Sequence, residues 1–245
     1  MKILVCITNV PDTTAKIGVS ADHKSISTNN APYIIGPYDD YALARAVELR
    51  DQTSGKLTVL HVGGPEADPQ IRKALAIGAD DAIRINLTPE DSFVTAEQIA
   101  HVATENQYDL ILMGRESLDF NSGVVHGLVG AMLNIPSYSP VMKLDIADSV
   151  VTFTREIDGG KEVLEATLPL VLGCQEPIAE WKIPNMRGIM TAKSKPFQVL
   201  EPIEASVMTK PLEFTLPKPK GDCKIIPLEE IDSLVKLLQT EAKVL

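Results

Sequence analysis

The stretch Asp109–Met113, DLILM, decides the fold of this chain. Its apolar residues are continuous rather than alternating, which is typical of a strand buried on both faces of a parallel sheet. Lys2–Thr8, KILVCIT, and Lys56–Val62, KLTVLHV, have the same character. Segments with helical patterns of about 10–15 residues separate these runs, as in βαβ units. The sequence therefore predicts an α/β fold with a doubly wound, mostly parallel sheet over roughly residues 1–190.

The segments between these strands predict where a ligand would bind. Helices are predicted at residues 37–51, 69–78, 95–105 and about 123–134. A further strand is predicted at 81–86, and short extended segments at 15–19 and 25–27. Doubly wound sheets bind ligands beyond the carboxyl ends of their strands, where the strand order reverses. We therefore expect a site formed by the loops 8–14, 36–39, 63–65 and 114–124.

A β-hairpin is predicted over Val151–Ala166, VTFTREIDGGKEVLEA. Its turn lies at Asp158-Gly159-Gly160, because tight hairpin turns need residues that tolerate positive φ. Arg155 and Glu156 flank this turn, and the apolar run Leu168–Leu172, which contains one proline, follows the hairpin.

The C-terminal part has a different composition, which divides the chain into an α/β domain at 1–192 and an arm at 193–245. Prolines occur at positions 196, 202, 211, 217, 219 and 227, which favours an extended segment with little core of its own. The last segment, 228–245, has Ile231, Leu234, Val235 and Leu238 at helical spacing. We expect this amphipathic helix to dock on another surface; the alternative is a helix folded back on its own domain.

Composition excludes several classes of protein. The net charge of −10 argues against a nucleic-acid surface, which needs a basic stripe. No apolar run approaches the ~18 residues of a membrane span, and the first residues lack the features of a signal peptide. We therefore expect a cytoplasmic or mitochondrial-matrix protein. The cysteines Cys6, Cys174 and Cys223 show no metal or redox spacing, and the first two are expected to be core residues.

Six segments, taken in order, resemble the electron transfer flavoprotein β subunit family. They are the hairpin and the stretches ILVCITNVPDT (3–13), PYDDYAL (37–43), Gly64-Pro65 with IRKALAIGAD (71–80), DLILMGRESLD (109–119) and IPNMRGIM (183–190). Any one match is weak, but six in register cover roughly residues 1–200.

The resemblance implies a redox role. In that family the β subunit pairs with an α subunit that holds an electron-carrying FAD. The β domain, an adenine-nucleotide-binding Rossmann-like fold, holds a structural AMP or, in electron-bifurcating members, a second FAD. The heterodimer accepts electrons from flavin dehydrogenases such as acyl-CoA dehydrogenases and passes them to a quinone oxidoreductase or another acceptor. This chain needs no acid, base or nucleophile of its own for that role, because the flavin supplies the chemistry.

The nucleotide site can also be argued physically. Ser122 or Asn121 is expected to cap the helix that starts near Gly123, so that its free N–H groups and dipole face a phosphate. The glycines of Gly63-Gly64 would allow a similarly close approach of the backbone. The alternative is that these are ordinary turn glycines and a helix cap. With the resemblance, the cofactor-binding residues are expected to be Thr8, Asn9, Val10, Asp12, Gly36, Gly63, Gly64, Gly114, Asp119, Asn121, Ser122, Gly123, Val124, Val125 and His126.

The departures from the family pattern fall in this same site. Val124-Val125-His126 replaces the usual Gln-Thr-Gly or Gln-Val-Gly, and Gly36 replaces an asparagine. The site is therefore expected to bind a nucleotide weakly, to bind a different one or to be empty. His126 would contact a phosphate when protonated, although a packed or solvated histidine is the commoner case.

The resemblance also places partner contacts. Thr13 and Tyr38 would approach the flavin of the α subunit, while Asp39 and Asp40 are interpreted only as first-turn acids that favour the helix dipole. The loop containing Trp181, Ile183 and Arg187 would recognise dehydrogenases, with Ile183 as the apolar anchor. An equal alternative for Trp181 is that its side chain covers the end of the domain core.

A second reading is a stand-alone nucleotide-binding or sensor protein of the related α/β class. Such proteins usually carry a Gly-rich phosphate motif late in the domain, and this sequence has none. The four histidines are scattered along the sequence, so neither interpretation includes a metal site.

Overall fold

The computed structural model describes residues 1–28, 30–147 and 150–245. Its strands are β1 (Lys2–Cys6), β2 (Asn9–Pro11), β3 (Gly18–Val19), β4 (Ile26–Ser27), β5 (Tyr33–Ile35), β6 (Lys56–Val62), β7 (Asp81–Ile85), β8 (Leu110–Gly114), β9 (Ser137–Ala147), β10 (Val150–Ile157), β11 (Gly160–Thr167), β12 (Leu170–Cys174) and β13 (Phe197–Leu200). Its α-helices are α1 (Pro37–Thr53), α2 (Asp68–Ile77), α3 (Ser92–Asn106), α4 (Val125–Leu133), α5 (Met186–Ala192) and α6 (Ile231–Leu237).

A nine-stranded sheet of order β11-β10-β9-β12-β8-β1-β6-β7-β13 forms the centre. Strand β1 lies between β6 and β8 and is parallel to both, with Val5 opposite Val59 on one side and Leu112 on the other. The chain passes from β1 to β6 and β7, and then returns to β8 on the other side of β1. The strand order therefore reverses between β1 and β8, and the predicted doubly wound α/β fold is confirmed.

Helices cover both faces of this sheet, which is why its central strands are continuously apolar. Ile3 and Val5 point into the core cluster that includes residues of α1 and α2. Leu4 and Cys6 point into the opposite cluster, which includes residues of α3 and Val129 of α4.

The predicted hairpin extends the central sheet, and one further strand that was not predicted, β9, lies beside it. Strands β10 and β11 pair in antiparallel register around Gly159, whose φ is +83°, as the Asp-Gly-Gly turn predicts. Strand β9, which pairs with both β10 and β12, was not predicted from the sequence. Pro140, Lys143 and Asp145 interrupt its apolar pattern, and its outward-facing residues are partly exposed, so no buried strand was visible in the sequence.

The C-terminal arm adds a ninth strand before it leaves the domain. Strand β13 pairs in parallel with β7, and Pro196 precedes it, which hid the strand in a proline-rich segment. The chain then lies along α3, where the side chain of Gln98 exchanges two hydrogen bonds of 3.0 Å with the backbone of Ile203. The final helical segment runs from a 3₁₀ turn at Leu228–Glu230 through α6 to a π turn at Leu238–Ala242.

The cysteines agree with the expectations from composition. Cys6 and Cys174 are buried and free, and Cys223 is free and exposed. Burial raises the pKa of both buried thiols far above the usual value, so they stay protonated. Within the described residues, no helix is long and apolar enough to cross a membrane.

Candidate functional site

A cleft of about 300 Å³ lies where the strand order reverses. Its floor is formed by residues at and just after the carboxyl ends of β1, β6 and β8, and α3 and α4 contribute its walls. This is the position at which open α/β sheets bind ligands. The volume is near the lower end of the ~300–1,000 Å³ range of small-molecule sites.

The carboxylate of Asp39 holds the floor of the cleft together. One oxygen accepts hydrogen bonds from the backbone N–H (2.8 Å) and the hydroxyl (2.6 Å) of Thr8, just after β1. The other accepts a 2.8 Å bond from the backbone N–H of Gly114, at the end of β8. A single side chain in the first turn of α1 therefore joins the ends of the two strands that flank the reversal.

Burial sets the charge state of this carboxyl group. Desolvation raises the pKa of Asp39 to about 6, although the bonds from Thr8 and Gly114 favour the ionised form. The interpretation of Asp39 and Asp40 as mere first-turn acids was therefore incomplete, because both are at least nine-tenths buried and hydrogen-bonded. The sequence showed their position in the helix but not the close approach of Thr8 and Gly114.

Two glycines make room for Asp39. A Cβ on Gly114 would lie 2.6 Å from its Oδ1 atom and 2.8 Å from Cβ of Tyr38. A Cβ on Gly36 would overlap the Thr8 hydroxyl and the same carboxylate. Gly36, a departure from the family pattern, is thus explained by the Thr8–Asp39 contact that occupies the space of a side chain.

Two neutral histidines line the cleft. The Nδ1 atom of His61 lies 2.8 Å from the carbonyl oxygen of Ile7, and burial lowers the pKa of this imidazole. Burial also lowers the pKa of His126, whose ring lies 3.4 Å from the Ser137 hydroxyl. The contact of a protonated His126 with a phosphate stays a prediction, and it would have to overcome this lowered pKa.

A chain of polar contacts connects the hairpin with the mouth of the cleft. Gln175, just after β12, donates to Glu156 of the hairpin at 2.8 Å and accepts from Arg115 at 2.8 Å. The guanidinium of Arg115 lies 5.4 Å from the centre of the Tyr38 ring, within cation–π range. Gln175 was not predicted from the sequence, because its contacts depend on three separate elements that meet at one point.

Seven of the predicted cofactor-binding residues line the cleft: Thr8, Asn9, Gly63, Gly114, Asp119, Val125 and His126. The others lie outside its lining: Val10, Asp12, Gly36, Gly64, Asn121, Ser122, Gly123 and Val124. Val10 is fully buried in the core, and Asp12 binds the backbone and hydroxyl of Thr14 in its own loop. Lining residues that the sequence analysis missed include Glu66, Thr88, Ser92, Thr95, Arg115 and Glu116.

The predicted cap of the helix beside the cleft is wrong. Helix α4 begins at Val125, and its N-cap is Val124, which makes no capping side-chain bond. The hydroxyl of Ser122 instead accepts a 2.9 Å bond from Ser92, and Asn121 takes the left-handed conformation with a φ of +48°. The first N–H groups of α4 therefore remain without a side-chain cap beside the cleft.

One buried polar atom in the cleft lacks a partner. The side-chain oxygen of Asn9 is buried and accepts no hydrogen bond from any described residue. A buried acceptor without a donor costs about 1–3 kcal/mol. A ligand that donates a hydrogen bond here, such as a nucleobase or a ribose, would remove that cost.

The residues assigned to partner contacts lie on the surface. Thr13 is exposed and Tyr38 is half-buried beside Arg115. Trp181 is 56% exposed and Ile183 is 73% exposed, and Arg187 is exposed on α5. Trp181 therefore covers the end of the core only in part. Among the described residues, no cluster of three or more His, Cys, Asp or Glu is arranged to hold a metal.

Fold and cleft together define a doubly wound α/β protein with a candidate ligand site at the switch in strand order. A family model described as Electron transfer flavoprotein domain matches residues 24–205. The chain belongs to the electron transfer flavoprotein family.

Relatives extend this likeness over the whole chain. The electron transfer flavoprotein subunit beta of Bacillus subtilis (strain 168) is 33% identical over 259 residues, which cover 100% of both chains. That of Syntrophomonas wolfei is 36% identical and covers 90% of this chain and 88% of its own length. The acryloyl-CoA reductase electron transfer subunit gamma of Anaerotignum propionicum is 29% identical, covering 82% of this chain and 78% of its own. The predicted likeness to the β subunit family is therefore confirmed.

Proposed function

We propose that this chain is the β subunit of a heterodimeric electron transfer flavoprotein. With an α subunit it carries electrons from flavin dehydrogenases, such as the acyl-CoA dehydrogenases of fatty-acid oxidation, to a quinone oxidoreductase or another acceptor. The observation that carries the proposal is the full-length likeness to the Bacillus subtilis subunit. The cleft adds support, because it lies where the resemblance places a nucleotide.

The FAD of the complex carries the electrons when it is bound. This chain contributes a binding surface for the partner subunit and the shape of the cleft. Tyr38 lies against Arg115, which lines the cleft, and the resemblance brings the α subunit close to Tyr38. The guanidinium over the ring is held by Gln175 and lies 3.6 Å from Glu116, so it contributes a planar stacking surface rather than a free charge.

An AMP in the cleft of this chain fits the residues better than a second FAD. The volume of about 300 Å³ suits a mononucleotide rather than a dinucleotide. The unpaired oxygen of Asn9 offers an acceptor for the base or ribose. The N-terminus of α4, which has no side-chain cap, offers N–H groups to the phosphate.

The charges around the cleft make backbone groups the expected phosphate ligands. Glu66, Glu116 and Asp119 line the cleft with Arg115, which is already engaged by Gln175 and lies 3.6 Å from Glu116. These lining residues therefore offer no free side-chain cation for the phosphate, and the N–H groups at the start of α4 are its expected ligands.

A second function is a subunit of a larger or bifurcating complex. It is favoured by the likeness to a protein whose name places it in an acryloyl-CoA reductase. That function would require a second FAD in this chain, for which the cleft must open beyond its present volume. The stand-alone sensor is not favoured by any relative described above.

Co-expression with the α subunit of the same organism tests the proposal. The expected result is a yellow heterodimer whose flavin is bleached by an acyl-CoA dehydrogenase and its acyl-CoA, and is reoxidised by a quinone oxidoreductase. A chain that forms no complex, or a complex whose flavin none of the flavin dehydrogenases reduces, would remove the proposal.

A further inference from the structure

The loop around Ile183 exposes several apolar side chains, and contacts with the domain fix it on both sides of Ile183. Ile183, Met186 and Met190 are 73%, 75% and 70% exposed, and together with Trp181 they form what we call the docking surface. Exposed apolar patches mark protein interaction sites, and these four side chains lie within ten residues of one another. An exposed loop pays an entropy cost when a partner orders it, unless its own domain holds it in the bound shape.

We propose that Asp40 and Glu48, on helix α1, are positioning residues that fix the loop at Trp181-Lys182 and so preset the docking surface. The inference rests on the proposed function for the identity of the partner, a flavin dehydrogenase. The new element is the role of Asp40 and Glu48, which lie outside the docking surface.

The first fixed point is Trp181. Its indole N–H donates a 3.0 Å hydrogen bond to Oδ2 of Asp40, and Lys73 of α2 lies 3.5 Å from the same oxygen. The ammonium of Lys73 also lies 5.8 Å from the centre of the Trp181 ring. Asp40 is only 9% exposed, so it orients the indole without itself presenting a contact to a partner.

The second fixed point is the next residue along the loop. The ammonium of Lys182 lies 3.0 Å from Oε1 of Glu48, and the other oxygen of Glu48 lies 2.8 Å from the guanidinium of Arg45. Arg45 is buried and also donates to the backbone carbonyl of Leu144 on β9. Asp40 and Glu48 are eight positions apart, or about 12 Å along a helix. Two consecutive loop residues are therefore attached to two separate turns of α1.

The far end of the docking surface is also fixed. Asn185 caps α5 by accepting a 2.8 Å bond from the N–H of Gly188. A Cβ on Gly188 would overlap the carbonyl oxygen of Ala76, which shows how closely α5 packs on α2. Ile183 thus stands between two anchored points, and only the anchors at Trp181 and Lys182 depend on charged side chains.

The decisive variant is Asp40→Ala, because it changes no residue of the docking surface. The matched control is Asp51→Asn, which removes an exposed carboxylate from the same helix. The purified heterodimer is assayed with an acyl-CoA dehydrogenase reduced by its acyl-CoA. We expect about a tenfold higher KM for the dehydrogenase in Asp40→Ala, with kcat and flavin content unchanged. Lys182→Met should raise KM in the same direction, and Asp51→Asn should not.

A second readout uses the isolated full-length chain. Trypsin cleavage after Lys182 should be several-fold faster in Asp40→Ala than in wild type or Asp51→Asn. Trp181, the only tryptophan, should become more accessible to acrylamide quenching. Wild-type cleavage and quenching in Asp40→Ala would overturn the inference, as would an unchanged KM. A wild-type complex that accepts no electrons from the dehydrogenase would instead contradict the proposed function, while cleavage still decides whether Asp40 holds the loop.

Discussion

The carboxylate of Asp39 accepts a 2.8 Å hydrogen bond from the backbone N–H of Gly114, which joins the first turn of α1 to the end of β8. Its other oxygen binds Thr8, so the same side chain also holds the end of β1. These two strand ends border the cleft. The geometry of the candidate nucleotide site therefore depends on a carboxylate that lies beneath it.

Asp39→Asn should destabilise the chain and loosen the cleft. The amide turns one acceptor into a donor that faces either the N–H of Gly114 or the N–H and hydroxyl of Thr8. Leaving such buried donors unpaired costs about 1–3 kcal/mol in the free energy of unfolding. Urea denaturation measures this loss, and Asp51→Asn is the surface control. The loss is measured near pH 5, where the wild-type carboxyl is still mostly protonated, and equal midpoints there would contradict the role of Asp39.

The same group predicts a pH dependence of stability. Burial raises the pKa of Asp39 to about 6 in the folded state, against 3.8 for the unperturbed side chain. The folded chain therefore binds this proton more tightly, and the contribution is fully present below about pH 4. It is lost as the pH rises through about 6, a decrease of about 3 kcal/mol in the free energy of unfolding.

The pH effect is measured as a difference. Urea unfolding of wild type and Asp39→Asn is compared from pH 4.5 to 7.5, so that the contributions of other carboxylates cancel. The advantage of wild type over the variant should shrink as the pH rises. A constant difference across this range would show that Asp39 has an ordinary pKa.

Gly114→Ala should be far more harmful than Gly127→Ala. A Cβ at position 114 would meet Oδ1 of Asp39 at 2.6 Å and the backbone nitrogen of the same residue at 3.1 Å, whereas one at 127 meets nothing within 4 Å. We expect a loss of about 1–3 kcal/mol for Gly114→Ala. Gly127→Ala, inside α4, should gain about 0.5–1 kcal/mol from helix propensity. Thermal melts of both variants test this, and similar losses in the two would be inconsistent with the close approach.

Removal of residues 228–245 should leave the stability of the isolated chain unchanged but weaken its binding to the α subunit. Leu228, Ile231 and Val235 of this helical segment are 79%, 56% and 49% exposed, so they contribute little to the core. We propose that they dock on the partner subunit as part of the arm 193–245. Titration calorimetry with the α subunit measures the loss, and full affinity of the shortened chain would count against docking.

The central strands could be predicted from the sequence because burial on both faces leaves a continuous apolar run, as at Leu110–Met113. Strands β9 and β13 could not be predicted, because each lies away from the centre of the sheet. Pairing with neighbouring strands forms them, and their own residues carry no clear strand pattern. The hairpin turn was predictable at Gly159, where the backbone itself demands a positive φ.

The site was less predictable than the fold. Asp39 is 31 positions from Thr8 and 75 from Gly114, and no local pattern indicates that the three meet. The expected cap at Ser122 failed because α4 begins only at Val125, and the Ser122 hydroxyl instead accepts a bond from Ser92, 30 positions away. Sequence spacing placed the loops around the cleft, but tertiary contacts decide which of their residues face it.

The most direct test of the central claim is the nucleotide content of the purified heterodimer. The complex with the α subunit is denatured, and the released FAD and AMP are quantified by chromatography against the protein concentration. One FAD and one AMP per heterodimer is the predicted result. Two FADs would contradict the mononucleotide cleft and place the chain in a bifurcating complex, and one FAD alone would mean that the cleft holds no nucleotide. A preparation with no complex and no flavin would contradict the electron-carrier function itself.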